Sequence, residues 1–154
     1  MYQQLIASVA DPKGLAGMLI QAIIEQESGG NPWAFRYEPA FFRRYLQDLN
    51  EGQLSGFVPR GIPTLATEKQ ARATSWGLMQ IMGETARSIG FSGRYLTELL
   101  DPATNLEWGC LYLAQLLTKT GGNTRQALLR WNGGGDPTYP DKVLKRVELI
   151  QSRH

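Results

Sequence analysis

Hydrophobic positions recur at helical spacing along most of the chain, between stretches rich in glycine and proline. The first clear segment follows Asp11-Pro12, where an N-cap residue precedes a proline of the first turn, and the run from Ser28 to Pro32 ends it. Its apolar positions lie three or four residues apart: Leu15, Met18, Leu19, Ala22 and Ile23. This spacing predicts an amphipathic helix that buries one face.

Five further helices are predicted from the same kind of pattern. They cover residues from about 39–49, 73–86, 102–120, 123–131 and 141–152. The longest begins after Asp101-Pro102, and Asn123 with Gln126 resembles a capping box for the next. Residues 52–67 and 133–140 are rich in glycine and proline and are predicted to be loops. Because no alternating run of β-branched residues predicts a strand, we expect an all-α fold.

Composition narrows the class of protein. The chain has 154 residues, of which 42% are hydrophobic, so we expect one compact domain. Its formal charge is only +2 and no basic run is present, which does not favour nucleic acid as a partner. No apolar run approaches the roughly 20 residues of a spanning helix, so no membrane insertion is expected. Cys110, the single cysteine, lies in an apolar helical pattern and is predicted to be a buried thiol.

Glu27 is the candidate for acid–base chemistry. The single histidine, His154, is terminal, which excludes a histidine-based triad or a His/Cys metal cluster, and no glycine-rich phosphate motif follows a strand. Glu27 lies between an apolar helix face and a Gly-Gly-Asn-Pro turn, where partial burial would raise its pKa and keep it protonated as a general acid. Periodicity alone favours the alternative, a solvated surface charge.

Four motifs follow one another in a characteristic order. They are Glu27-Ser28 at a helix end, GLMQIM from Gly77 to Met82, Asp101-Pro102 with Asn105-Leu106, and Ala127 to Gly134. In this order the motifs resemble the soluble lytic transglycosylase family, lysozyme-like enzymes that cleave peptidoglycan. The resemblance covers about Leu15 to Val147. It implies an all-α, lysozyme-like single domain over residues 1–154, with a substrate cleft and an inserted segment around residues 35–72.

The resemblance also implies a mechanism with one carboxyl group. Glu27 would protonate the β-1,4 bond between N-acetylmuramic acid and N-acetylglucosamine, assisted by the sugar's own acetamido group. The carboxylate would then take the proton of the muramoyl C6 hydroxyl, which closes a 1,6-anhydro ring. A hydroxyl on the same sugar competes with water at a high effective molarity. No metal or cofactor is implied, and the expected partner is the peptidoglycan glycan strand, bound by a monomer.

Further site residues follow from matching the family's motifs. The implied substrate-binding residues are Ser28, Gly77, Met79, Gln80, Trp131, Asn132 and Tyr139. The Gln80 amide would reach saccharide groups, Met79 would pack near the sugar, and Gly77 would allow close backbone approach. Leu78, Ile81 and Met82 are expected to be core on the opposite face of the same helix. Asn132 fits equally well as a helix-ending residue before glycines.

Two departures from the family are evident. Trp131 stands where the family has a tyrosine whose phenol contacts the catalytic carboxyl, and an indole can donate but not accept a hydrogen bond. Either Tyr139 or Tyr37 is an alternative source of the phenol.

The second departure is the long segment between Glu27 and Gly77. It carries several aromatic and arginine residues: Trp33, Phe35, Arg36, Tyr37, Arg43 and Arg44. Aromatic stacking on sugars and arginine contacts to stem-peptide carboxylates would suit glycan binding. Ordinary packing of an extra helix also explains the aromatic residues, and it is the favoured interpretation.

Two other functions remain open. Goose-type lysozymes share the fold but hydrolyse the bond, and Glu38, Glu68 or Glu84 would then position a water. A solvated surface role is the simpler expectation for each of these, with Glu84 capping a helix. A non-catalytic glycan-binding module is the third hypothesis, and the intact Glu27 argues against it.

The N-terminus shows neither a basic region nor a long apolar run, so no signal peptide is predicted. For an enzyme expected to act on the cell wall, in the periplasm or outside the cell, this favours a phage origin, with release through a holin or transport in a tail. A bacterial enzyme whose signal has been removed is the competing interpretation.

Overall fold

The computed structural model describes residues 2–154, so Met1, which the predicted domain includes, lies outside the described residues. Within that range the fold consists of eight α-helices and one small sheet. The helices are α1 Gln3–Ala10, α2 Gly17–Ser28, α3 Pro39–Phe41, α4 Leu65–Arg72, α5 Gly83–Ser88, α6 Pro102–Lys119, α7 Thr124–Trp131 and α8 Tyr139–Ser152. The strands are β1 Phe35–Tyr37, β2 Thr74–Trp76 and β3 Ile81–Met82. The prediction of a mainly helical fold is confirmed. None of the helices in residues 2–154 combines the length and apolar character needed to cross a membrane.

Contacts divide the chain into two compact units. The first contains the residues up to Gly30 together with Gly109–His154, and the second contains Asn31–Trp108. In the first unit α2 packs against α8, α1 packs on α2, and α7 packs on α8. Its fully buried side chains include Ile20, Ile23, Cys110, Leu113, Leu128 and Val143. The prediction that the Cys110 thiol is buried is therefore confirmed. One domain over residues 1–154, with an insertion around 35–72, stays a prediction.

The second unit is organised around the sheet, whose strands are antiparallel in the order β1-β2-β3. Phe35 pairs with Trp76, Tyr37 with Thr74, and Trp76 with Ile81. Buried around the sheet and the surrounding helices are Leu46, Leu78, Met79, Ile81, Leu99 and Leu106.

The helix predicted over residues 73–86 is wrong. The structure has β2, a tight turn over residues 77–80, β3 and only then α5. Gly77 and Gln80 adopt positive φ angles of 69° and 53°, which interrupt a right-handed helix. Leu78 and Ile81 are buried, as expected of core residues, but they are not on a helix face opposite Gly77 and Met79. Apolar residues on a short strand and a turn produced the same spacing as a buried helix.

The expectation of no strands is wrong for the same reason. Strands of only two or three residues are too short to show alternation in the sequence.

Several boundaries also differ from the prediction. Asp11–Lys13 form a 3-10 turn, which ends at Gly14 with a φ of 69°. The helix predicted to follow Asp11-Pro12 therefore begins only at Gly17, as α2. The preceding helix, α1, was not predicted. The segment predicted over 39–49 is α3 followed by a π-helical turn, Phe42–Leu46. The predicted loop over 52–67 includes the start of α4, and α8 begins two residues early, at Tyr139. The long α6 and the Asn123 cap of α7 are confirmed, since Asn123 Oδ1 accepts from the Gln126 N–H at 3.0 Å.

Candidate active site

Glu27 lies on the last turn of α2 and continues its buried face. Ile20, Ile23 and Ile24 are buried, and residues three or four positions apart share one side of a helix, which directs Glu27 along the same stripe. Its side chain is half-buried. The helix ends at Gly29, whose φ of 61° gives the left-handed cap that terminates it. A carboxyl group thus lies where the apolar face of the helix meets solvent.

Tyr139 contacts this carboxyl group directly. Its phenol donates a hydrogen bond to Glu27 Oε1 at 2.7 Å. The Tyr139 side chain is 4% exposed, and burial, followed by the negative charge of Glu27, raises the pKa of the phenol well above its ordinary value. The phenol therefore stays protonated and remains a donor to Glu27 at neutral pH. Of the two tyrosines proposed from the sequence, Tyr139 is the one that reaches the carboxyl group.

Tyr37 is placed elsewhere. It lies on β1 in the second unit, with its ring centroid 6.1 Å from that of Phe42.

Trp131 acts on the phenol. Its indole lies beside the phenol and partly opposes the rise in the phenol's pKa. The hydrogen of the phenol is directed to Glu27, and an indole N–H can only donate, so Trp131 faces the phenol as a donor. The Trp131 ring also packs at 5.4 Å from the ring of Tyr112. The indole at this position thus orients the phenol that contacts the acid.

The turn before α8 holds Tyr139 in position. Asp136 Oδ1 accepts from the backbone N–H and the hydroxyl of Thr138, at 2.9 and 2.6 Å, and Oδ2 accepts from Lys142 Nζ at 2.8 Å. The hydrogen bond from Lys142, followed by those from Thr138, lowers the pKa of Asp136 to about 2. Sequence reasoning missed Asp136, although an Asp two residues before a Thr at a helix start is a typical turn signal.

A second contact holds α8 against α2. Arg146 Nε donates to Gln26 Oε1 at 2.7 Å, one residue before Glu27. The two helices that carry Glu27 and Tyr139 are therefore linked next to the carboxyl group.

Ser28 and Asn132 lie at the ends of helices. The Ser28 hydroxyl donates to the carbonyl of Ile24 at 3.1 Å and accepts from the N–H of Gly30 at 3.2 Å, which closes α2. Asn132 is the half-exposed C-cap of α7, directly before Gly133. A substrate contact for either residue stays a prediction.

Gly77 and Met79 are fixed by Asn105. The Asn105 amide, which is fully buried, accepts from the Met79 N–H at 2.8 Å and donates to the carbonyls of Trp76 and Leu99 at 2.7 and 2.8 Å. A Cβ at Gly77 would lie 2.5 Å from Asn105 Nδ2 and 2.7 Å from the Leu99 oxygen. The close approach that Gly77 permits is therefore an approach to the protein's own backbone and to Asn105.

Gln80 braces the same turn. Its side-chain N–H₂ donates to the carbonyls of Ala34 and Gly77, at 3.0 and 2.9 Å, and its side chain is half-exposed. Met79 is fully buried. The structure thus brings Gly77, Met79 and Gln80 together in the second unit, and Glu27, Trp131 and Tyr139 together in the first. Their contacts to a saccharide stay predictions.

The three other carboxylates considered from the sequence all form ion pairs. Glu68 was expected to be solvated, and that expectation is wrong. It is 1% exposed, and its oxygens accept from Arg72 at 2.7 Å and from Arg87 at 2.9 Å. Two buried guanidinium groups compensate the buried carboxylate, which a sequence pattern does not reveal.

Glu84 and Glu38 are less buried but also engaged. Glu84 Oε1 accepts from Ser55 at 2.7 Å and from Arg72 at 3.0 Å, and Glu38 Oε1 lies 3.1 Å from Arg36 Nε. Among residues 2–154, no three His, Cys, Asp or Glu side chains group as a metal-ligand set.

The aromatic residues of the inserted segment divide into two groups. Phe41 and Phe42 pack against Leu46, Leu54 and Ala73, as the favoured packing interpretation requires. Trp33, Phe35 and Tyr37 do not follow it, because they are 72%, 65% and 41% exposed. For these three the packing expectation is wrong, because Trp33 lies in a turn and Phe35 and Tyr37 lie on the edge strand β1 rather than on a helix.

The chain is similar to known proteins both in sequence and in fold. A family model described as the Transglycosylase SLT domain matches residues 4–143. The chain is 34% identical over 82 residues to a transglycosylase of Enterobacteria phage PRD1, an alignment that covers 48% of this chain and 29% of that protein. The crystal structure of the 70 kDa soluble lytic transglycosylase of Escherichia coli matches with a TM-score of 0.56 at 24% identity, covering 96% of this chain and 19% of that one. This chain spans less than a third of the length of either protein.

Proposed function

We propose that this chain, which belongs to the Transglycosylase SLT domain family, is a peptidoglycan lytic transglycosylase with Glu27 as its acid and base. The observation that carries the proposal is the half-buried Glu27 carboxyl group, which accepts a hydrogen bond from a buried phenol at the end of an apolar helix face. The bond cleaved is the β-1,4 link between N-acetylmuramic acid and N-acetylglucosamine.

In the first step the protonated Glu27 donates its proton to the glycosidic oxygen. The hydrogen bond from Tyr139 to Oε1 orients the carboxyl group for this transfer. The bond from the muramoyl C1 to that oxygen breaks, and the sugar's own acetamido oxygen stabilises the positive charge at C1. The N-acetylglucosamine leaves with a hydroxyl group.

In the second step the Glu27 carboxylate takes the proton of the muramoyl C6 hydroxyl. The C6 oxygen attacks C1 and closes a 1,6-anhydro ring, and no water is consumed. Glu27 ends the cycle protonated, so one carboxyl group serves both steps. A mechanism with a single catalytic carboxyl group is supported by the ion pairs of Glu38, Glu68 and Glu84, because each of these carboxylates is bound to arginine.

Substrate binding is assigned to the residues that match the family's motifs. Asn132 and Gln80 offer amide groups to the N-acetyl and hydroxyl groups of the saccharide. The helix end at Ser28 and the turn that contains Gly77 and Met79 set the course of the backbone next to the residues that bind substrate. Trp131 and Tyr139 orient the acid. The enzyme acts as a monomer on the cell wall, and its relative in a phage supports release through a holin or transport in a tail.

The test compares two substitutions on the same helix. Glu27→Gln removes the proposed acid, whereas Glu25→Gln makes the same chemical change at a residue that pairs with Arg153 at 3.0 Å. Release of soluble fragments from purified peptidoglycan should fall by about 10²–10⁴-fold in Glu27→Gln, the usual contribution of a general acid–base group. Glu25→Gln should stay close to the unmodified protein. Full activity of Glu27→Gln would overturn the proposal.

A further inference from the structure

Three side chains of α8 and its C-cap bind three consecutive side chains at the end of α2. Each pair is joined by one hydrogen bond: Tyr139 to Glu27 at 2.7 Å, Arg146 to Gln26 at 2.7 Å, and Arg153 to Glu25 at 3.0 Å. The three donors lie seven residues apart, and residues at this spacing share one face of a helix. One face of α8 is therefore bonded to the last turn of α2, next to the proposed acid.

The apolar residues of this face do not by themselves fix its position. Val143 and Ile150 lie between the three donors and are fully buried. Burial of apolar surface is non-directional, and packed helices can shift past each other by about 1–2 Å. The hydrogen bond from Tyr139 to Glu27 is less tolerant, because a separation of roughly 3.6 Å is no longer a hydrogen bond. The bond thus requires α8 to keep its register on α2.

The contact of Arg146 supplies a directional constraint on that register. Its Nε donates to the side chain of Gln26, the residue before Glu27, and its Nη1 lies 3.9 Å from Glu25 Oε2. One guanidinium group therefore spans two neighbouring residues of α2. Because the donor is charged and its fork is planar, this contact restricts both distance and orientation.

The contact of Arg153 is less suited to this role. Arg153 is the C-cap of α8, and its side chain is 54% exposed, whereas that of Arg146 is 40% exposed. Its partner Glu25 is two residues from Glu27. Exposed ion pairs of this kind contribute little, because water and salt screen them.

We propose that Arg146 is a positioning residue for the reaction: through Gln26 it fixes α8 on α2, so that the Tyr139 phenol reaches the Glu27 carboxyl group. This inference rests on the proposed function, because a role in turnover follows only if Glu27 is the acid. Arg146 acts through other side chains and is not itself a catalytic residue. A small misplacement of a reacting group slows the reaction strongly, so the effect of Arg146 falls on turnover.

Two substitutions remove the contact from opposite sides. Arg146→Met keeps an aliphatic side chain without the guanidinium, and Gln26→Leu removes the acceptor. Each should lower turnover on soluble peptidoglycan strands by about tenfold, with a smaller change in KM. The matched control is Arg153→Met, the same substitution on the same face of α8, and its turnover should stay close to that of the unmodified protein.

A double-mutant cycle tests whether Arg146 acts through the phenol. In a Tyr139→Phe background the hydrogen bond to Glu27 is already absent, so adding Arg146→Met should lower turnover by less than about twofold. Losses that multiply in the double variant would overturn the inference. Urea unfolding gives the folded fraction of each variant. Reduced stability of Arg146→Met with full turnover per folded molecule would also overturn it, because the contact would then be structural only.

The outcomes separate this inference from the proposed function. Full turnover of Glu27→Gln would overturn the proposed function, whatever the Arg146 variants do. A large loss in Glu27→Gln together with unchanged turnover in Arg146→Met would refute only the positioning role. A large loss in Glu27→Gln together with the non-additive cycle would support both.

Discussion

The Tyr139 phenol donates to Glu27 Oε1 at 2.7 Å across 112 residues of sequence. The bond joins the end of α2 to the start of α8, and the indole of Trp131 lies beside the same phenol. A donor of this kind orients the carboxyl group, which in the proposed reaction has to give up a proton and then recover one.

Tyr139→Phe should lower turnover by about tenfold or more, because a hydrogen bond to a charged group is worth about 1.5–3 kcal/mol. KM should change less than turnover, since the hydrogen bond of the phenol is to the carboxyl group. The first step needs protonated Glu27, so activity should fall at high pH. The profile of Tyr139→Phe should lie below that of the unmodified protein over the whole of this limb. Rates on purified peptidoglycan at a series of pH values measure both effects, and an unshifted profile at full turnover would show that the phenol does not act on the acid.

Stability at alkaline pH should report on Tyr139. Burial, followed by the charge of Glu27, raises the pKa of this phenol in the folded protein, whereas the unfolded value is about 10. Above that pH the unfolded chain loses the proton and the folded chain keeps it, so the stabilisation present below pH 10 is lost as pH rises. The free energy of unfolding should fall by about 1.4 kcal/mol per pH unit from this group.

The matched comparison is Tyr139→Phe, which lacks the titrating group. Urea unfolding between pH 9 and 12 should give a shallower decline for the variant than for the unmodified protein. Parallel declines would mean that the phenol ionises equally easily in both states.

Glu68→Gln should destabilise the protein by about 3–5 kcal/mol, because it leaves Arg72 and Arg87 as buried charges without their shared carboxylate. The matched control is Asp141→Asn, which breaks a pair with Arg125 whose side chains are 65% and 61% exposed and should change stability by less than about 1 kcal/mol. Urea unfolding measures both. Activity per folded molecule should be unchanged in Glu68→Gln, and its specific loss would revive a water-positioning role for this carboxylate.

Gly77→Ala should destabilise the turn by about 2–4 kcal/mol, from both a left-handed backbone and overpacking against Asn105 and Leu99. Gly121→Ala isolates the first effect, since Gly121 has φ of 63° and no atom within 4 Å of the added Cβ. It should lose only about 1–2 kcal/mol. Equal losses at the two positions, measured by urea unfolding, would show that the close approach to Asn105 carries no energetic weight.

Much of this molecule could be predicted from local pattern. Glu27 stood out because a carboxyl group follows an apolar helix face and precedes a glycine turn, and both features depend on neighbouring residues. The long α6 and the Asn123 cap were predicted for the same reason. Tyr139 could only be offered beside Tyr37, because no local pattern distinguishes two tyrosines that lie 112 and 10 residues from the carboxyl group.

Other features depend on tertiary partners. β2 lies in the middle of the sheet and pairs with β1 on one side and β3 on the other, and strands this short have no period to detect. The burial of Glu68 requires Arg72 one turn away and Arg87 from another helix. Phe35 and Tyr37 are exposed because they lie on an edge strand, whereas the sequence favoured a packed helix.

The most direct test of the central claim is mass spectrometry of the soluble products released from purified peptidoglycan, before and after borohydride reduction. A lytic transglycosylase that uses Glu27 for both steps predicts muropeptides lighter by one water than hydrolysis products, unchanged by borohydride, and absent with Glu27→Gln. Muramic acid ends that borohydride reduces would instead identify a hydrolase and contradict the account.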